Sequence, residues 1–213
     1  IKTGIGADII LGGAGGDIIT ANLGETTGAI DAGNLILGDN GQLDYTRADR
    51  TTTAGADLNA ADLDLVLSVD GGIGGNDTIT TGNGSDLVIG GAGADTITVN
   101  GGNNLVLGDS GRITAASSSG PQLAGLALTI GEILTTADGI GGSDTITAGS
   151  GNDILVGGTN DSEDGESVVE TITAGGGNNI VLGDSGWIDY TRADREPAAK
   201  GADTAPVTQD DIV

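Results

Sequence analysis

A nine-residue spacing runs through most of this chain, and few folds are compatible with it. From Gly72 four consecutive rows read GIGGNDTIT, TGNGSDLVI, GGAGADTIT and VNGGNNLVL. The fourth place is always glycine (Gly75, Gly84, Gly93, Gly102), the sixth is Asp77, Asp86, Asp95 and then Asn104, and the eighth is Ile79, Val88, Ile97 and Val106. The same row returns as GIGGSDTIT from Gly139, AGSGNDILV from Ala148 and AGGGNNIVL from Ala174. It also opens the chain, as TGIGADIIL from Thr3, GGAGGDIIT from Gly12 and AIDAGNLIL from Ala29. Each row is one turn and one short strand, too small to bury an apolar face alone. Such rows are stable only when stacked, so the period predicts a solenoid.

Composition agrees with a thin interior. There are 42 Gly among 213 residues, one Trp, two Tyr, and no Cys, His, Met or Phe. A thick globular core draws on larger side chains than these. The 31 acidic residues face only 7 basic ones, a formal net charge of −24. Self-repulsion of that size opposes compaction unless cations neutralise it. Oxygen donors without His or Cys select hard cations such as Ca²⁺ over zinc or copper. Nucleic acid is excluded as a partner because phosphate contacts need Lys and Arg. No apolar run reaches the ~18 residues that a membrane-crossing helix needs.

A second, longer period punctuates the rows. Blocks close on LGDNG, LGDSG and LGDSG, whose aspartates are Asp39, Asp109 and Asp184, and DYTRADR occurs at Asp44–Arg50 and again at Asp189–Arg195. Chain 1–213 therefore reads as one continuous solenoid segment. Its units are about 1–42, 43–111 and 112–186, and 187–213 begins the linker of another. It is expected to be an internal slice of a longer tandem array. Two insertions, Ala21–Gly28 and one within Thr159–Val169, leave the next row in register and should be loops extruded from one edge. The long linkers, roughly Leu43–Asp70 and Arg112–Asp138, alternate in polarity and read as wider strands that continue the sheet. A short helix around Asp57–Leu65 is a weaker expectation.

The spacing also makes a candidate ion site. Glycine permits the φ > 0 turn and bares the backbone so that carbonyls can approach an ion. Two rows complete one coil, so residues of alternate rows stack on one edge. Asp77 is placed above Asp95 on one edge and Asp86 above Asn104 on the other. Asp144 falls on the edge of Glu170, Asp153 on that of Asn179, and Asp8 on that of Asn34. Six to eight oxygens from carboxylates and carbonyls satisfy Ca²⁺.

The row GGxGxDxUx, with U aliphatic, resembles the repeats-in-toxin (RTX) calcium-binding nonapeptides, most closely at Gly12–Thr20 and Gly90–Thr98. The resemblance implies an all-β fold, a right-handed parallel β-roll with Gly/Asp-rich turns, in which Ca²⁺ bridges successive coils. Carried over row by row, the expected ligands are Asp8, Asp17, Asp77, Asp86, Asp95, Asn104, Asp144, Asp153, Glu170 and Asn179. Asn34, Asn104 and Asn179 depart from the family's Asp, which weakens the charge where they stand. Glu170 is one methylene longer and follows an insertion. Asp39, Asp109 and Asp184 lie outside the frame, either as ligands of an end site or, with slightly more weight, as turn caps.

The functional reading is a non-catalytic, calcium-binding structural segment of an extracellular adhesin, surface-layer or filament-forming protein. The RTX resemblance implies export to the cell exterior. Its expected partners are calcium ions and, end to end or laterally, further copies of itself. Catalysis has no His, no Cys and no carboxylate outside the repeats in a special setting. The alternatives are a solenoid that binds ice or carbohydrate through a Thr-rich face (Thr78, Thr80, Thr96, Thr98), or a non-catalytic module of a secreted polysaccharide-modifying enzyme. DYTRADR reads as a solvated loop, with a partner surface as the rival.

Overall fold

The computed structural model describes residues 1–47, 61–116, 122–123, 125–137, 139–159 and 169–191. Among them lie seventeen strands, numbered in chain order, and no helix. The first sheet holds β1 (Lys2–Thr3), β3 (Ile18–Ala21), β7 (Thr78–Thr81), β9 (Thr96–Val99), β13 (Thr145–Ala148) and β15 (Thr171–Thr173), in that spatial order. The second holds β2 (Ile9–Leu11), β4 (Leu35–Leu37), β8 (Leu87–Gly91), β10 (Leu105–Asp109), β14 (Ile154–Val156) and β16 (Ile180–Leu182). Every pairing in both sheets is parallel. Successive rows thus alternate between two sheets, which is the expected β-roll.

Register follows the period. Ile19, Ile79, Ile97, Ile146 and Ile172 stand side by side in one sheet. Ile10, Ile36, Val88, Val106 and Leu155 do so in the other. These middle residues of each triplet point inward and form one apolar cluster between the two sheets. Side chains alternate across a strand, so their neighbours point outward. In the first sheet those neighbours are threonines, apart from the exposed Ile18 of β3. In the second they are Leu35, Leu37, Leu87, Ile89, Leu105, Leu107, Ile154 and Val156 from β4 to β14, all buried, whereas Ile9 and Leu11 of β2 are exposed.

That second apolar face explains the linkers, which depart from expectation. They do not continue either parallel sheet. Instead β5 (Gly41–Asp44), β6 (Leu65–Ser68), β11 (Gly111–Ala115), β12 (Ile130–Thr135) and β17 (Trp187–Asp189) form a separate antiparallel sheet in the order β17-β12-β11-β6-β5. Val66, Ile113, Ile130, Ile133, Ile188 and Tyr190 from it pack on the outward leucines of the second sheet. The physical reason is burial: a leucine pair exposed on every coil would cost about 1.5–3 kcal/mol per side chain, and a third layer removes it. On the outer side Arg112 bonds Glu132 at 3.0 Å, and the Trp187 indole N–H donates to Glu132 Oε1 at 2.9 Å.

The anticipated helix near Asp57–Leu65 is absent where it can be seen. Residues 61–64 are non-helical and Leu65 opens β6, while 57–60 lie outside the described residues. Only the first residue of each DYTRADR copy lies in a strand, Asp44 at the end of β5 and Asp189 at the end of β17, and the described residues after it are non-strand. Each aspartate accepts the N–H and hydroxyl of the threonine two residues on. Tyr190 is 2% exposed, whereas Tyr45 is 38% exposed. Residues 48–50 and 192–195, the rest of both motifs, lie outside the described residues.

The chain re-enters the roll from each linker through a left-handed residue that is not glycine, Asp70 (φ 55°) and Ala137 (φ 61°). Alanine there carries a penalty of roughly 1–2 kcal/mol. Ala137→Gly is therefore expected to raise the melting temperature of the calcium-loaded protein, whereas Ala148→Gly within β13 should lower it. Differential scanning calorimetry of the two variants reads the contrast.

Candidate calcium sites

Each coil contributes one sixth-position side chain to each of two edges, and from the second coil on each such side chain is fixed by a backbone hydrogen bond from the previous coil. On the acidic edge Asp17 N–H donates to Asp77 Oδ1 at 2.7 Å and Asp77 N–H to Asp95 Oδ1 at 2.8 Å. Asp95 N–H then donates to Asp144 Oδ1 at 2.7 Å, and Asp144 N–H to Glu170 Oε2 at 2.8 Å. On the mixed edge the same ladder runs Asp8, Asn34, Asp86, Asn104, Asp153, Asn179, with distances of 2.8–3.0 Å. All the pairings expected from sequence are present, and Asp17 joins the column of Asp77.

One oxygen of Asp77, Asp86, Asp95, Asp144, Asp153 and Glu170 is thereby used. Among the described residues the other, although buried, has no hydrogen-bond partner (Oδ2 of the aspartates, Oε1 of Glu170), and Oδ2 of Asp8 is likewise buried without one. Asp77, Asp86, Asp95, Asp144 and Asp153 are each at most 1% exposed. Isolated buried carboxylate oxygens are costly unless a partner reaches them. On the acidic edge these oxygens share a cradle with backbone carbonyls. A Cβ on Gly38 would collide with Asp77 Oδ2 and the Gly90 carbonyl; one on Gly90, with Asp95 Oδ2 and the Gly108 carbonyl; one on Gly108, with Asp144 Oδ2 and the Gly157 carbonyl. Only glycine leaves that space open. Gly102 shows the second use of the residue, with φ 95° and no room for a Cβ against the Gly84 carbonyl.

Burial raises Asp77, Asp86, Asp95 and Asp144 well above the ordinary aspartate value of 3.8. Asp95 is pushed up to about 9 by burial, with Asp144, Asp77 and Asp39 adding repulsion. Asp144 rises to about 8 by burial, beside Asp109 and Glu170. Asp77 and Asp86 rise to about 6, again chiefly by burial, and Asp153 and Glu170 move in the same direction. The acidic edge is thus a place where negative charge is held against its own preference, and a divalent cation is what would relieve it.

The off-frame aspartates stand beside this edge. Asp39 Oδ2 accepts the Ala92 N–H at 2.6 Å. Asp109 accepts Gly142 N–H at 3.2 Å through Oδ1 and Thr159 N–H through Oδ2. Both cap turns of a following coil, and burial carries Asp109 to about 7. Asp184 lies close enough to Glu170 to raise it. Sequence reasoning missed two further carboxylates, Glu25 of the first insertion and Asp31 of the row that follows it. Glu25 Oε1 accepts the N–H of Asn83 at 2.9 Å and of Asp31 at 3.2 Å, and Asp31 itself is 4% exposed with Oδ1 unpartnered. Neither has the nonapeptide spacing that would have singled it out.

Among the described residues no three carboxylates converge tightly enough to hold a metal by side chains alone. The donor set is instead a carboxylate pair from neighbouring coils plus glycine carbonyls, all oxygen. That set suits Ca²⁺, which accepts many oxygens at 2.3–2.6 Å in flexible geometry, better than Mg²⁺. When bound, the ion would supply positive charge between coils and cross-link them.

The fold and edge define a calcium-binding β-roll. The RTX calcium-binding nonapeptide repeat family matches in four copies, at residues 1–27, 71–112, 138–161 and 165–187. The chain belongs to this family, a structural rather than catalytic repeat, and calcium is its cofactor. No curated protein and no solved structure matches it. No helix among the described residues is long and apolar enough to cross a membrane.

Proposed function

We propose that this chain is a calcium-stabilised structural segment of an extracellular adhesin, surface-layer or filament-forming protein. In this reading ions bridge successive coils through Asp8, Asp17, Asp77, Asp86, Asp95, Asn104, Asp144, Asp153, Glu170 and Asn179. One observation carries it: a regular column of buried carboxylate oxygens, one per coil from Asp77 through Asp95 and Asp144 to Glu170, with no hydrogen-bond partner among the described residues. Chain 1–213 then acts as one continuous segment, rigid only when loaded, and export before folding suits a chain that meets millimolar calcium outside the cell. RTX repeats occur in secreted bacterial proteins, which favours that location.

Asp95→Asn tests the ligand assignment through a change of sign. Asparagine keeps the Oδ1 that accepts Asp77 N–H but removes a charge that burial disfavours. The variant should be more stable than the parent in EGTA and should gain less from calcium, with a weaker midpoint in a calcium titration. Thr98→Ala in the adjoining strand should change both little. If Asp95→Asn and Thr98→Ala respond alike, the aspartates are turn formers only.

A second reading has its own observation. The outer face of the first sheet carries two threonine columns, Thr78–Thr96–Thr145–Thr171 and Thr20–Thr80–Thr98–Thr147–Thr173. Strand and row spacing place these hydroxyls on a grid of about 6.6 Å by about 4.8 Å. Thr78, Thr96, Thr145 and Thr171 are exposed, and none of the described linker strands pairs with their sheet. Such a grid suits ice or a carbohydrate surface. Thermal hysteresis of the calcium-loaded protein, compared with Thr96→Tyr, decides it: no hysteresis in the parent removes the ice reading.

A further inference from the structure

The two edges of the roll are not chemically equal. Every member of the acidic edge is a carboxylate, whereas the mixed edge alternates strictly: Asp8, Asn34, Asp86, Asn104, Asp153, Asn179. The backbone N–H of the preceding coil fixes which way each amide points. Asp8 N–H donates to Asn34 Oδ1, and Asp86 N–H to Asn104 Oδ1. With the oxygen held toward the preceding coil, the NH₂ group faces the following one.

There it finds a nest of oxygens. Asn34 Nδ2 donates to Asp86 Oδ1 at 3.0 Å, to Asp31 Oδ2 at 2.9 Å and to the Ala32 carbonyl at 3.2 Å. Asn104 Nδ2 donates to Asp153 Oδ1 at 2.9 Å and to the Gly102 carbonyl at 3.3 Å. A carboxylate of the next coil together with turn carbonyls is the donor set that the acidic edge presents around its open cradles. On the mixed edge a polar N–H₂ already stands among those oxygens. The gaps on the other side of each asparagine differ, because Asp8, Asp86 and Asp153 keep a buried Oδ2 with no partner, and Asp86 and Asp153 are at most 1% exposed.

We infer that Asn34 and Asn104 act as built-in cation substitutes, so that the mixed edge takes a divalent ion only in the Asp8/Asn34, Asp86/Asn104 and Asp153/Asn179 gaps. The Asn34/Asp86 and Asn104/Asp153 gaps are closed by the amide. The acidic edge takes an ion in each gap. This rests on the proposed calcium-bridged reading and refines it: the same asparagine offers Oδ1 to an ion on one side and replaces an ion on the other. The charge pattern makes sense of it, since within the folded roll a hydrogen-bonded amide ties two coils together without an ion.

The test counts ions. Calcium bound per chain, measured by metal analysis after equilibrium dialysis, is compared among the parent, Asn34→Asp, Asn104→Asp and the double variant. Each single change opens one closed gap and should add one ion per chain, and the double variant two. In ¹⁵N spectra of the calcium-loaded parent, the side-chain NH₂ groups of Asn34 and Asn104 should exchange with solvent far more slowly than that of Asn178. If the parent binds calcium but the aspartate variants bind the same number or fewer, the asparagines are ordinary ligands and the inference is overturned. Fast exchange of both NH₂ groups overturns it as well. A parent that binds no calcium at all would instead overturn the proposed function; NH₂ exchange in the folded calcium-free chain near pH 5 then reads the clamp alone, slow exchange supporting it and fast exchange overturning it. Should Asn104→Asp not fold, Asn34→Asp reads the equivalent gap.

Discussion

In EGTA at pH 7.5 the chain is expected to lose most of its β-sheet circular dichroism and to regain it cooperatively as calcium is added. The isolated roll lacks what a globular core supplies. Each row contributes one inward aliphatic side chain, worth about 1.5–3 kcal/mol when buried, while ordering each backbone residue costs roughly 1–2 kcal/mol. Hydrogen bonds along the stack narrow that gap, but the column Asp17, Asp77, Asp95, Asp144 and Glu170 then sets like charges against one another out of reach of water. Ions that bind only the folded stack shift the equilibrium by mass action, so binding free energy appears as folding free energy. Magnesium at the same concentration should restore far less signal, because it holds its waters and asks for tight octahedral geometry. Equal β-rich spectra with and without EGTA would end this account.

Acid should partly do the work of calcium. Asp77 and Asp86 titrate at about 6, Asp109 at about 7, Asp144 at about 8 and Asp95 at about 9, against 3.8 ordinarily. A carboxyl with a raised value in the fold holds its proton more tightly there than in the unfolded chain. Its contribution to stability is complete below the ordinary carboxylate value and is lost as pH climbs through the folded value. In EGTA, then, stability falls from about pH 4 to pH 9, and β structure absent at pH 7.5 should reappear near pH 5. Near pH 5, where the calcium-free chain is folded with these carboxyls protonated, calcium must displace those protons, so binding there releases protons and affinity rises as the pH climbs from 5. Calorimetric titration in two buffers of different ionisation enthalpy measures the release. No proton release near pH 5 would show that the carboxylates are already ionised in the calcium-free fold.

The nine-residue spacing made the roll legible, because glycine, acid and aliphatic recur at places that only a stacked coil brings into line. Both columns could be written down from Asp77, Asp86, Asp95 and Asn104 alone, since rows alternate between edges. The third layer was harder to see. Its signal lay in the residues flanking each inward aliphatic: threonine in DTIT, leucine in NLVL. A strand apolar on both faces needs cover from both sides, and the alternating linkers supply it. Alternation by itself does not say which sheet a strand joins, so the linkers read as extensions of the roll. The asparagines were legible only as weakened ligands. What their nitrogens do depends on Asp31, Asp86 and Asp153 in neighbouring turns, and an isolated row carries no trace of that.

Strand order in all three sheets follows a single axis, from β1 and β2 to β15, β16 and β17. The backbone hydrogen bonds between coils consequently lie along that axis as well. Pulling on the two ends would not shear many bonds together; it would peel them apart a strand at a time, the weakest way to load a sheet. The contacts able to resist are those that clamp one coil to the next at its corners, where the carboxylate columns stand. Stiffness under tension would then be set by the saltiness of the surroundings, taut where calcium is plentiful and extensible where it is scarce.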